Sequence, residues 1–139
     1  MDIKIVSYSQ GPCEILDKFH ELKKDVNIEA MPQIRFSQNS DFIGFQIDMK
    51  FWANDEVVVK FGFLIGMIIT GWSEAFSKGE SPVKNKFIIK ALCEKAWLVG
   101  TGLLMARSKE NLDKAIILPD IDFDKFADDI DFVDNTSRS

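Results

Sequence analysis

The chain has 139 residues, 46% hydrophobic content and a formal net charge of −5, the size and make-up of one domain. The charge is uneven: residues 120–134 hold seven Asp against one Lys, a net −6, so the remainder sums to about +1. A nearly neutral body with an acidic end weighs against nucleic-acid binding as the main task.

The chain opens on Met1-Asp2 and runs directly into "IKIVSYS", which is not a secretory leader. Its most apolar stretch, 96–106, is too short for a membrane span, so a soluble cytoplasmic protein is expected, without membrane insertion. Residues 3–8 read as a short strand. "GPCEILDKFHELKK" (11–24) predicts an amphipathic helix, with Pro12 at its first position and Ile15, Leu16, Phe19 and Leu22 at helical spacing. Residues 28–37 read as an edge strand, because Pro32 lacks a backbone donor. The clearest pattern follows. Ile43, Phe45, Ile47, Met49 and Phe51 alternate with polar or small residues, and Val57 to Ile69 continues the period of two. That predicts a half-buried antiparallel hairpin turning at "WANDE". The back of its second strand (Val58, Lys60, Gly62, Leu64, Gly66, Ile68) is only weakly polar.

Residues 73–85 read as a loop with one helical turn. From Lys86 to Met105 a helix is expected, apolar on more than one stripe (Phe87, Ile88, Leu92, Ala96, Trp97, Val99, Leu103, Leu104). A sheet covers one side of such a helix. A second subunit is therefore expected over Leu92, Ala96, Val99, Gly102 and Leu103, with Gly100 and Gly102 permitting close approach of another backbone. The acidic C-terminal tail begins at about residue 127, and the chain is read as a single domain, 1–139.

Catalytic and metal patterns fail. His20 is the lone histidine, no phosphate-cradling glycine motif or nucleophile elbow occurs, and Cys13 and Cys93 fit no metal or redox spacing. Asp120, Asp122, Asp124, Asp128 and Asp131 fall in the frame of a calcium loop. Lys125 stands where that loop needs Gly, and Asp131 where it needs Glu. No enzyme, cofactor or metal is expected. Four aromatics near turns, Phe42, Trp52, Trp72 and Phe76, are the candidates for holding an apolar client.

The segment "ILPDIDFDKF" (117–126) resembles the C-terminal signature of the SecB family of export chaperones, through Leu118, Pro119, Ile121, Phe123 and Phe126. The order of elements over roughly 28–127 is also similar. The resemblance implies an α+β fold, a four-stranded antiparallel sheet packed with a long C-terminal helix, in a homo-oligomer (tetramer or dimer). It implies an ATP-independent chaperone that binds unfolded or precursor polypeptides for export, with SecA as partner. The alternatives are an adaptor or dedicated chaperone for one partner, such as an antitoxin, and a small-molecule-binding protein.

Overall fold

The computed structural model describes residues 2–15, 27–53, 55–112 and 121–136. Its centre is the hairpin. Strands β3 (Phe42–Ala53) and β4 (Glu56–Ile69) pair antiparallel from Phe42↔Ile68 to Ala53↔Glu56. The alternation that predicts them is what buries them. Ile43, Phe45, Ile47, Met49 and Phe51 on β3, with Val59, Phe61, Phe63, Ile65, Met67 and Ile69 on β4, are at most 2% exposed. A register shift between Phe51 and Trp52 puts Trp52 opposite Val57. The inward phase is lost there: Val58 is buried and Val57 only partly.

Strand β1 (Ile3–Ile15) lies along β4 and β2 (Asn27–Phe36) along β3, both antiparallel. Strand β5 (Asp131–Asp134) runs parallel to β2, giving the order β1-β4-β3-β2-β5. Helix α1 (Trp72–Ser77), a 3-10 turn (Pro82–Lys84), α2 (Lys86–Leu112) and α3 (Phe123–Asp128) complete the order. The helices serve the inner face of the sheet. Trp72 packs edge-on to Phe36 with ring centroids 5.9 Å apart, and Trp97 of α2 packs edge-on to Phe126 of α3 at 5.6 Å. Ile89, Leu92, Cys93, Ala96 and Leu104 of α2 complete the core.

The expected four-stranded antiparallel sheet with a long C-terminal helix is corrected in two respects. Among the described residues the sheet has five strands and is mixed. The 27-residue α2 is followed by α3 and β5, which bring the chain back to the sheet edge. Aspartates dominate 120–134, and the apolar residues between them are what direct this return. Phe126 and Ile130 are buried and Phe132 is half-buried, while Asp131 and Asp134 face out. Those two carboxylates accept from the side-chain amides of Gln33 (3.2 Å) and Gln38 (2.8 Å), tying the strand to β2.

The helix predicted over 11–24 is corrected at its start. Residues 11–15 belong to β1, where Cys13, Glu14 and Ile15 pair with Phe61, Lys60 and Val59. The long edge of β4 offers backbone partners that local helix propensity cannot match. The remainder of that prediction, with His20, lies outside the described residues. So do Leu118 and Pro119. The edge strand expected over 28–37 is corrected as well: β2 lies between β3 and β5, and only its first half, with Pro32, is unpaired on the outer side among the described residues. Pro32 faces Ile47 of β3, and β5 joins β2 only from Gln33 onward.

Candidate binding surfaces

The outer face of the sheet carries no helix among the described residues. Cross-strand register places Lys4, Ile68 and Phe42 in one row, and Ser9, Leu64, Gln46 and Gln33 in another. Phe42 is 48% exposed, and Leu64 and Ile68 are each 40% exposed. Gly66 lies between them and makes the patch flat. A Cβ there would collide with the Ser7 hydroxyl and stand 3.0 Å from the Phe42 ring, so those two side chains lie where another would otherwise rise. Farther along the face the character changes. A hollow of ≈ 340 Å³ is lined by Glu14, Met31, Asp48, Lys50 and Lys60, with Lys50 and Lys60 directly opposite each other.

The four aromatics singled out in the sequence do not form one surface. Phe42 belongs to the apolar patch. Trp52 sits on the same strand about 30 Å away; it is half-buried, and its indole N–H donates to Glu29 Oε2 at 3.0 Å. Trp72 is fully buried and presents no surface. Phe76 is half-buried and stacked on Phe36, with centroids 5.6 Å apart and planes 5° apart. Leu64 and Ile68, which complete the patch with Phe42, are legible only as the weakly polar back of β4.

The residues expected at a subunit contact separate in the same way. Leu92 and Ala96 are buried within the chain, and Val99 and Leu103 are half-buried. Gly102 is exposed, and a Cβ there would meet nothing within 4 Å. The outward apolar residues of α2 are Phe87, Leu98 and Met105, exposed by 90%, 75% and 37%. Their spacing of eleven and then seven residues keeps them on one side of the helix. An expectation built on an all-round apolar helix could not single out that stripe.

The acidic segment has local work to do. Asp122 caps α3 by accepting from the backbone N–H groups of Asp124 (3.0 Å) and Lys125 (3.4 Å). Asp124 pairs with Lys90 of α2 at 3.5 Å. Among the described residues no group of three or more His, Cys, Asp or Glu is placed to hold a metal ion. Burial, and after it the neighbouring Glu94, pushes the Cys93 thiol up to about 12, which keeps it protonated. No described helix is long and apolar enough to cross a membrane.

No family model matches the chain, and no curated protein matches it. Among solved structures it is similar to a crystal structure of a protein of unknown function from Streptococcus agalactiae. The two are 12% identical, the match covers 86% of this chain and 94% of the other, and the TM-score is 0.33. A likeness of that degree assigns neither a family nor a function.

Proposed function

We propose that this protein is a non-enzymatic binder that holds extended apolar segments of other polypeptides without ATP, in keeping with the SecB resemblance of 117–126. The observation that supports the reading is the apolar patch of Phe42, Leu64 and Ile68 on a broad sheet face that no described helix covers. Contiguous exposed apolar area attracts other apolar chains without demanding one geometry. The flanking Gln46 and Ser9 can satisfy a bound backbone by hydrogen bonds. The outer stripe of α2 supports a second part of the proposal, that copies of the chain associate there.

The test is the aggregation of a denatured model substrate, followed by light scattering in the absence of ATP. The protein is expected to slow it. Replacing Phe42 and Leu64 together by Ser is expected to remove most of the protection, while circular dichroism and oligomer mass stay unchanged. No protection by the wild type at several-fold molar excess overturns the reading.

A further inference from the structure

At the end of the sheet opposite the apolar patch is a hollow of ≈ 380 Å³, lined by Asn27, Ile28, Glu29, Trp52 and Asp55. That volume lies within the range of small-molecule sites. Its chemistry is one-sided: an indole, two carboxylates and an amide, with no cationic residue among the described residues that line it. The hydrogen bond from Trp52 Nε1 to Glu29 Oε2 fixes the indole and the carboxylate relative to each other, so the arrangement is preorganised. Asp55 is at φ 63, a left-handed conformation that Asp tolerates, and it joins the lining from the turn between β3 and β4. Among the described residues neither Glu29 nor Asp55 makes an ion pair. Lys50 stands opposite Glu29 in the β2–β3 register, but it does not line the hollow.

We infer that this hollow is a binding site for an organic cation, an ammonium or guanidinium group. The face of an indole attracts a weakly hydrated cation through its quadrupole, and adjacent carboxylates add a Coulombic term. A hard inorganic cation would gain nothing from the indole, and an anion would face two carboxylates. The inference stands apart from polypeptide holding, because the hollow and the apolar patch are at opposite ends of the face. The same chemistry can come from a free amine or from a Lys side chain in a peptide.

Full-length protein should be titrated with choline, with the uncharged carbon isostere of choline, and with a Gly-Lys-Gly peptide carrying blocked ends. The readout is the indole N–H resonance of Trp52, one of three in the chain, assigned by its loss in Trp52→Phe. Choline or the peptide is expected to shift it saturably, and the isostere is not. Whichever of the two binds more tightly identifies the source of the cation. Glu29→Gln keeps an acceptor for the indole, and Asp55→Asn keeps a residue suited to the left-handed turn. Each is expected to weaken binding about threefold, the size of a partly exposed charge contact. Equal shifts by choline and its isostere, or no shift by either cation, overturn the inference. So does undiminished binding in the folded Glu29→Gln, Asp55→Asn double variant. The comparison of choline with its isostere needs no variant to fold.

Discussion

Asp41 holds the start of α1 from outside the helix. One of its carboxylate oxygens accepts from the backbone N–H of Ser73 at 2.9 Å and from the Ser73 hydroxyl at 2.8 Å. The backbone bond to Ser73 is the first cause that holds its carboxyl below the ordinary 3.8, and the hydroxyl bond is the second. A carboxylate depressed in the fold stabilises it above the unfolded value, and that stability is lost as the pH falls through the folded value. Asp41→Ala is therefore expected to cost about 1 kcal/mol at neutral pH. The gap to the wild type should shrink below about pH 4, as both chains come to lack the ion. Thermal melts of the two proteins across that range check it. An unchanging gap would mean that the charge contributes nothing. At Cys93 the raised thiol makes a second prediction. Ellman's reagent should find at most one reactive thiol per native chain and two after denaturation, since the chain has two cysteines.

Among the elements, α2 contains two glycines of opposite character one turn-half apart. A Cβ at Gly100 would collide with the ring of Phe63 on β4, so the helix approaches the sheet closely at that position. At Gly102 the space is open. Replacing glycine by alanine in a helix is worth about 1 kcal/mol in its favour. Gly102→Ala is expected to gain that amount. Gly100→Ala should lose that gain and more to overpacking, for a net destabilisation of up to about 2 kcal/mol. Urea titration of both variants separates them, and a stabilised Gly100→Ala would show that the contact between α2 and β4 yields easily. The expectation that Gly102 allows a second backbone to approach is now tied to the outer stripe, since Gly102 is not needed for packing within the chain.

For the whole molecule, the outer stripe of α2 makes the strongest demand. Phe87 and Leu98 are exposed by 90% and 75%, and covering each would contribute about 1.5–3 kcal/mol. Two copies would supply about 6–12 kcal/mol from these four side chains, against an association cost of about 4–15 kcal/mol. The surplus is at most about 8 kcal/mol, so association through this stripe is expected to be micromolar at its tightest and sensitive to single changes. Light scattering is expected to give a multiple of the 15.8 kDa chain mass, and Leu98→Lys to lower it. A monomeric wild type at high micromolar concentration removes this part of the proposal.

Strand periodicity by itself determined the β3–β4 hairpin and its buried face, because one-sided burial and alternation are the same fact read in two ways. The composition of 86–105 likewise determined a long helix. Neither determined which side of α2 would face the sheet, for apolar residues on more than one stripe leave the rotation open. That was settled only where Gly100 lets Phe63 in. Pro12 and the helical spacing after it spoke for a helix at 11–15, and the free edge of β4 overrode them. The acidic end from about residue 127 looked like a tail because charge dominates its composition. Its sparse apolar residues, Ile130 and Phe132, pack against a core that distant strands and α2 supply. Trp52 and Trp72 are the same residue type beside similar turns, yet one lines a surface hollow and the other fills the core. Local sequence cannot separate such a pair, because the difference lies in what the rest of the chain places around each ring.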